Sequence, residues 1–335
     1  MTNPARRRTP VLTGLAVTAA VAALTAACSE APTSGSSGGS GGAASSGGSS
    51  LPKTLVFSPL SLQPPALKGL SDGVKGYAGS KGWEVLVQDP NFDATKQQQD
   101  LTAVLSSGRA GAVWVLAVAP KSFGDTIKAA QAKGIPILVN GKPEEYGYSG
   151  PQAGVTFDYI DYTAGGKALG DQLGKCITQK LGGTAEVAFA QSTEGQAGKA
   201  EFEAAALAGL KAAAPNATIV QSIIVKDRAS GQTDFGNALQ GHPNLTAVMS
   251  STDEGALGAI GAFNAAGKTA TCVTDFGGDD EVLKDVKAGS IFASVALQFN
   301  DDLTQSFDTL VKMQADPTAK GPVITVPQKI VTAAG

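Results

Sequence analysis

Two kinds of apolar pattern alternate along most of the chain. Short unbroken apolar runs, such as 112–117 and 136–139, are typical of parallel strands that are covered on both faces. Between such runs, apolar residues recur at three- and four-residue spacing, as in 66–80, which indicates amphipathic helices. Because strands and helices alternate, the pattern predicts parallel sheets with right-handed crossovers.

The alternation fills two halves of similar size, with no Pro- or Gly-rich linker between them. We therefore expect an α/β fold of two doubly wound parallel-sheet lobes joined by crossing hinge strands. Lobe 1 is predicted to hold 53–156 and 297–320, and lobe 2 to hold 157–296 and 321–335. The predicted helices are 66–80, 96–106, 122–133, 162–176, 198–213, 235–239, 255–266, 281–288 and 301–315.

The N-terminus has the features of an export signal. Three consecutive arginines, 6–8, precede a weakly apolar run over 11–27 that is short for a membrane span. The run ends in Leu24-Thr25-Ala26-Ala27-Cys28, which resembles a bacterial lipobox. The departure from that pattern is Thr25, which stands where leucine is usual.

Residues 1–28 are accordingly predicted to be a lipoprotein signal peptide that ends at the lipid-modified Cys28. Residues 29–52 are rich in Gly, Ser and Ala and are predicted to be a flexible linker. The linker would tether a globular body to a lipid anchor at the outer face of the cell membrane or in the periplasm. An ordinary cleaved signal with a free cysteine is the alternative, and general and twin-arginine export both remain open.

Composition removes several classes of function. A single His and three Cys leave little material for a histidine triad or a zinc site, so no catalytic residue, metal or cofactor is expected. Gly267-Lys268-Thr269 resembles the end of a phosphate loop, but the earlier glycine is replaced by Ala262. Without the arginines at 6–8, the 26 basic residues fall to 23 against 29 acidic ones. The resulting net charge near −6 argues against nucleic-acid binding.

Two further cysteines, Cys176 and Cys272, lie in the globular part. Cys176 ends a predicted helix and Cys272 begins a predicted strand, and these ends lie on one face of a parallel α/β layer. In an exported protein we expect the two to form a disulfide. Two buried thiols are the alternative, which a mass shift after reduction and alkylation distinguishes.

Short motifs then stand in a definite order. They are Gly82-Trp83-Glu84-Val85, Asn91-Phe92-Asp93-Ala94-Thr95-Lys96-Gln97, Ala132-Lys133-Gly134-Ile135-Pro136-Ile137, Thr252-Asp253-Glu254-Gly255-Ala256-Leu257-Gly258-Ala259, and Phe276-Gly277-Gly278 followed by Glu281-Val282-Leu283 and Lys287-Ala288-Gly289. Each motif alone is weakly specific. The ordered set, which covers 53–335, resembles the type I periplasmic binding proteins, the ribose- and galactose-like solute receptors of ABC importers.

The resemblance implies a monomeric binding protein, not an enzyme. Its two lobes would close on a small-molecule solute, most directly a sugar or polyol, and deliver it to an ABC permease in the membrane. The ligand-binding residues that the resemblance and the predicted strand ends favour are Gln63, Phe92, Asn140, Lys142, Asp158, Lys199, Thr252, Asp253, Asp279 and Gln298.

Several positions depart from the family pattern. The aromatic pair of the first loop is missing after Gln63, and the family's Asp-Arg pair becomes Asn140-Gly141-Lys142. The aspartate of Phe-Asp-Gly becomes Gly277. Rings that could replace the missing platform, each with core or rim packing as the alternative, are Phe92, Trp114, Phe123, Tyr159 and Phe276. We therefore expect a small polar solute rather than ribose in particular.

Two other functions use the same chain differently. A sensor or chemoreceptor protein of the same fold would partner a signalling kinase, and the sequence alone does not separate it from a transport protein. An extracellular enzyme would need a positioned nucleophile and base. His242 lies in a polar turn, and the acidic cluster Asp279-Asp280-Glu281 suits a helix N-terminus, so neither favours catalysis.

Overall fold

The computed structural model describes residues 51–63, 65–194 and 196–334. The predicted signal peptide, the lipid-modified Cys28 and nearly all of the predicted linker lie outside the described residues. Within the described ranges, no helix combines the length and the apolar character that crossing a membrane requires.

The first lobe is built on a six-stranded parallel sheet with the strand order β2-β1-β3-β4-β5-β11. The strands are β1 (Thr54–Ser58), β2 (Glu84–Val87), β3 (Ala112–Val115), β4 (Ile137–Asn140), β5 (Val155–Tyr159) and β11 (Val323–Thr325). The helices are α1 (Pro65–Ser80), α2 (Ala94–Ser106), α3 (Gly124–Ala132) and α9 (Phe299–Ala315), with short 3-10 turns at Pro120–Ser122 and Pro143–Tyr146. Alternate residues of β1 enter different cores, Val56 on one face and Leu55 and Phe57 on the other.

The second lobe is built on another six-stranded sheet, with the order β7-β6-β8-β9-β10-β12. The strands are β6 (Thr184–Gln191), β7 (Asn216–Ile224), β8 (Leu245–Ser250), β9 (Cys272–Gly277), β10 (Ala293–Leu297) and β12 (Gln328–Thr332). The helices are α4 (Tyr162–Leu181), α5 (Lys199–Ala213), α6 (Arg228–Gly241), α7 (Asp253–Ala265) and α8 (Asp280–Ala288). The sheet is parallel except for β12, which runs antiparallel to β10 at the edge.

The chain passes between the lobes at three places: after β5, after β10 and after β11. Hydrogen bonds join these crossing segments to each other. The Val326 amide donates to the Tyr159 carbonyl over 3.0 Å, and the Gln298 amide donates to the Pro327 carbonyl over 2.8 Å. The predicted two-lobed α/β architecture is confirmed, and the crossing segments form a small layer of their own.

The crossings lie a few residues from the predicted boundaries. Strand β5 continues to Tyr159, so 157–159 belong to the first sheet and not to lobe 2. Residues 323–325 also pair with β5, whereas the sequence pattern predicts 321–335 in lobe 2. In both places the strand runs on past the predicted division and the chain changes sheet only after it.

Two helices, α4 and α6, are longer than predicted by five residues or more. Helix α4 continues past Cys176 to Leu181 and ends at Gly182, which adopts a left-handed conformation. Helix α6 begins at Arg228 and not at 235, because its first turns are mostly polar and exposed and show no apolar periodicity. Its start is marked instead by Asp227, whose side chain accepts a hydrogen bond from the Ser230 amide.

Cys176 and Cys272 form the predicted disulfide, with their Cα atoms 5.8 Å apart. Both residues are fully buried, and the bond joins the last third of α4 to the first residue of β9. It therefore fixes the helix that follows the first crossing to the middle of the second sheet.

We predict that replacing both cysteines by alanine lowers the free energy of unfolding by about 2–4 kcal/mol, because the denatured chain loses its cross-link. Chemical denaturation of the wild type and the double variant measures the difference. Reductant should destabilise the wild type and leave the variant unchanged. Native wild-type protein whose cysteines alkylate without reduction would contradict the assignment.

Candidate functional site

A cavity of about 490 Å³ lies between the two lobes, beside the crossing segments. Lobe 1 supplies its floor from the carboxyl ends of β3, β4 and β5, where ligands of parallel sheets are generally bound. Lobe 2 supplies the start of α5. Among the residues that line the cavity are Leu67, Leu70, Trp114, Asn140, Lys142, Glu145, Asp158, Tyr159, Tyr162, Gly198, Glu201, Phe299 and Asp302.

Asn140 is held in one orientation at the end of β4. Its side-chain oxygen accepts a hydrogen bond from the Ala117 amide over 2.6 Å, and its carbonyl accepts one from the Tyr146 hydroxyl. Gln97, a buried residue of the Asn91–Gln97 motif, orders the neighbouring strand end in the same way. Its amide donates to the Leu116 carbonyl over 2.9 Å and its oxygen accepts from the Val118 amide. The edge of the first sheet is therefore preorganised.

Two carboxyl groups lie together at the hinge side of the cavity. Asp158 is the last residue but one of β5, with only 7% of its surface exposed, and Asp302 lies in the first turn of α9. Asp158 Oδ2 accepts from Ser306 over 3.2 Å, and Asp302 Oδ1 accepts from Gln305 over 2.8 Å. Burial, with the Asp302 carboxylate beside it, raises the pKa of Asp158 to about 8. Burial also raises the pKa of Asp302, so the pair holds a proton near neutral pH.

Lys142 connects the two lobes across the cavity. Its Nζ lies 3.5 Å from Glu201 Oε1 on α5 and 5.2 Å from the centre of the Tyr159 ring. The Glu201 and Lys142 side chains are both partly exposed, so the ion pair is weak and can open without a large loss of free energy. Glu145 accepts from the Lys142 amide over 2.8 Å, which orders the loop that carries the lysine.

The five candidate platform rings occupy different places. Tyr159 and Trp114 line the cavity, although Trp114 is 1% exposed and packs edge-on against Phe57. Phe123 is fully buried in the lobe 1 core, and Phe276 is buried against Phe202 at a centroid distance of 4.6 Å. For Phe123 and Phe276, core packing is the arrangement observed.

Phe92 and Gln63 lie outside the cavity, in neighbouring loops of lobe 1. Gln63 Nε2 donates to Asn91 Oδ1 over 2.7 Å, which joins the loop after β1 to the loop after β2. Asn91 and Phe92 both have positive φ, 54° and 62°, which is unusual for a bulky residue such as phenylalanine. Phe92 is 51% exposed at this loop. These two predicted residues are therefore not brought to the cavity.

The predicted residues of lobe 2 do not line the main cavity. Lys199, the first residue of α5, lines a smaller pocket of about 30 Å³ that shares Tyr162 and Gly198 with that cavity. Lys199 forms ion pairs with Glu203 and Glu194, and its charge is thereby engaged. Thr252 accepts a hydrogen bond from the Gly255 amide and starts α7, which is the role of a helix cap. Asp279 precedes α8 and is exposed.

Asp253 turns toward the backbone of lobe 2. Its Oδ1 accepts from the amides of Gly278 and Asp279 over 2.8 and 3.0 Å. A Cβ atom at Gly277 would lie 2.0 Å from Asp253 Oδ2, so only glycine leaves room for the carboxyl group. Burial raises the pKa of Asp253 and of Asp275 beside it.

Gln298 lies in the second crossing segment, between β10 and α9. Its side-chain amide donates to the Ala296 carbonyl over 3.0 Å, and its backbone joins Pro327. The predicted ligand residues therefore divide into two groups. Asn140, Lys142 and Asp158 line the common cavity, whereas Gln63, Phe92, Lys199, Thr252, Asp253, Asp279 and Gln298 do not.

The chain matches the model of the family described as "Periplasmic binding protein domain" over residues 56–316. It belongs to this periplasmic binding protein family. The ribose import binding protein of Bacillus subtilis is 28% identical over 258 residues, which is 76% of this chain and 79% of that protein. The xylitol-binding protein of Mycolicibacterium smegmatis is 24% identical over 76% of this chain and 72% of that protein.

A solved structure shows the same fold. The periplasmic solute binding protein of an ABC transporter from Actinobacillus succinogenes, crystallised with D-allose, superposes with a TM-score of 0.70. It is 18% identical and the match covers 84% of this chain and 98% of that chain. The relatives of this periplasmic binding protein are binding proteins and not enzymes, which agrees with the expectation from its composition.

Three acidic residues that line the cavity of this periplasmic binding protein are absent from the predicted site: Glu145, Glu201 and Asp302. Asp302 does carry a signal in the sequence. It lies in helical register with Ser306 and Leu310 on the buried face of α9, where a carboxylate is unusual without a role. Glu145 and Glu201 look like ordinary surface acids, since only the approach of the two lobes brings them to one cavity.

We predict that the ionisation of Asp158 makes this periplasmic binding protein progressively less stable as pH rises from about 4 to 8. The raised pKa of Asp158 means that the folded state keeps a proton that the unfolded chain releases, so each step up in pH favours unfolding. Asp158→Asn removes this ionisation, and its midpoint of thermal unfolding should vary less between pH 5 and pH 8. Asp301→Asn, an exposed neighbour on α9, is the matched control and should keep the wild-type slope.

Proposed function

We propose that the chain is an extracytoplasmic solute-binding lipoprotein of an ABC importer. It would capture a small polar solute, a sugar or polyol, between its lobes and deliver it to a membrane permease. The observation that carries the proposal is the cavity itself, since residues of both lobes line one space beside the crossing segments. Solute bound there would contact both lobes at once and favour their approach.

The size and chemistry of the cavity suit a small cyclic or linear polyol. Its volume of about 490 Å³ lies within the range of small-molecule sites. Asn140 and the Asp158–Asp302 pair offer hydrogen bonds, and the rings of Tyr159 and Phe299 offer apolar surface. The names of the relatives, which refer to ribose and xylitol, support a solute of this class.

The small number of connections between the lobes supports their movement relative to each other. The crossing segments are short, and Lys142 and Glu201 form the one ion pair between the lobes among the described residues. Rotation at the crossings would open or close the cavity without disturbing either sheet. The monomeric state expected from the sequence fits a protein whose binding site lies within one chain.

Anchoring is proposed from the N-terminal sequence. The segment that ends at Cys28, followed by the Gly- and Ser-rich linker, would hold the two lobes near the membrane that contains the permease. A sensor or chemoreceptor protein would use the same fold and anchor, with a signalling kinase as its partner. Both roles require the protein to bind solute. If deletion of its gene abolishes uptake of that solute by the cell, transport is favoured.

Binding without turnover is the first expected result. A panel of pentoses, hexoses and polyols should include at least one that raises the midpoint of thermal unfolding and is recovered unchanged. The same solute should lower the radius of gyration in small-angle X-ray scattering, because the lobes close. Asn140→Ala should weaken its binding about tenfold or more through loss of a buried polar contact. Asn237→Ala, on the exposed face of α6, should bind as the wild type does. Absence of binding across the whole panel would refute the proposal.

The anchor is tested separately. Cys28→Ser should abolish lipid modification and release the protein from the membrane fraction, which metabolic labelling with a fatty acid and cell fractionation both report. Ser29→Ala, a change beside the modified position, is the control and should leave the protein anchored. A Cys28→Ser protein that remains membrane-bound would contradict the lipoprotein assignment.

A further inference from the structure

The charges that line the cavity are unequal. Four carboxyl groups, of Glu145, Asp158, Glu201 and Asp302, face one amine, that of Lys142, and no arginine lines the cavity among the described residues. Lys142 is already engaged, since it lies 3.5 Å from Glu201 and above the Tyr159 ring. An anionic solute would therefore enter against an excess of negative charge.

The Asp158–Asp302 pair has no cation to balance it. Neither carboxyl group forms an ion pair with a lysine or arginine anywhere in the described ranges. The hydrogen bonds they do accept come from Ser306 and Gln305, which are neutral. Asp158 is 93% buried and lines the cavity. Its Oδ1 atom accepts a hydrogen bond from no described residue.

A buried carboxyl pair can be neutralised in two ways. It can bind a proton, which the raised pKa of Asp158 supports for the free protein. It can also bind a cation supplied by a ligand, since a buried charge is costly only while it is unpaired. The other ionisable groups at the cavity are Lys142, Glu145, Tyr159, Tyr162 and Glu201, and the two acids among them add to the negative potential.

We infer that the solute carries a protonated amine, and that its ammonium group binds between Asp158 and Asp302 in place of their shared proton. This inference rests on the proposed function and narrows its ligand class to amino sugars and related aminocyclitols. The aromatic surfaces of Tyr159 and Phe299 suit such a ligand, because they pack against ring carbons and attract a nearby cation.

The proton balance of this exchange is defined. The ammonium group enters already charged, and the proton held by the two aspartates leaves to the buffer as the new ion pair forms. Binding near pH 6.5 should therefore release close to one proton for each amine bound. A neutral polyol would leave the carboxyl proton in place and release none.

Matched sugars test the inference directly. D-Glucosamine, D-glucose and D-glucuronate, and the corresponding galactose set, differ in one substituent each. Isothermal titration calorimetry at pH 6.5, in phosphate and in MES, gives both the affinity and the protons released. The amine of at least one set should bind about tenfold or more tightly than its neutral parent, and the uronate weakest.

Two near-isosteric variants locate the effect. Asp302→Asn and Asp158→Asn should each reduce the preference for the amine over its parent and suppress proton release. Asp301→Asn, next to Asp302 but exposed, should change neither value. Circular dichroism and thermal unfolding confirm that each variant is folded, and because two variants are made, failure of one to fold leaves the test intact.

The outcomes separate the two proposals. Tighter binding of the amine with proton release that depends on Asp158 and Asp302 supports the inference. Binding of a neutral sugar, a polyol or a uronate as tightly as the amine overturns it and leaves the proposed function standing. If ribose or xylitol binds and no amine does, the inference is likewise overturned and the proposed function stands. Binding of no compound in either panel overturns both.

Discussion

The hydrogen bonds between the crossing segments are the constraint on which the arrangement of the two sheets depends. The bonds from Val326 to Tyr159 and from Gln298 to Pro327 join three strands that pass between the lobes. They set the edge of the first sheet opposite the start of α5 in the second lobe. Besides the crossing segments, the Lys142–Glu201 pair is the one salt bridge that joins the lobes within the described ranges.

The Asp158–Asp302 pair lies next to these bonds between the crossing segments. The Val326 amide donates to the Tyr159 carbonyl, and Asp158 precedes Tyr159 in the chain. Gln305 donates to the carbonyl of Thr325, the residue before Val326. Gln305 also donates to Asp302, so the carboxyl pair is linked to the third crossing through one side chain. A change of charge on Asp158 or Asp302 would therefore act on groups that are hydrogen-bonded to the crossing segments.

The sequence predicts the fold further than it predicts the cavity. Buried strands such as β3 and β4 carry unbroken apolar runs, which mark their positions in the sequence. The polar first turns of α6 carry no such signal. At the site, Asn140 and Asp158 follow from their place at strand ends. Glu201 could not be foreseen, because its contact with Lys142 depends on the distance between lobes, which no local pattern encodes. The motif predicts Asp253 as a ligand-binding residue, but its carboxylate accepts hydrogen bonds from backbone amides of lobe 2 instead.

The disulfide has a consequence for when the protein becomes fully stable. It anchors α4, which begins at the first crossing and faces the cavity, to the central strand β9. Such bonds persist in oxidising surroundings and are kept reduced in the cytosol of most cells. A newly made chain would therefore have a looser second lobe until it leaves the cytosol. If the chain is exported as proposed, its second lobe would therefore reach full stability only outside the cytosol.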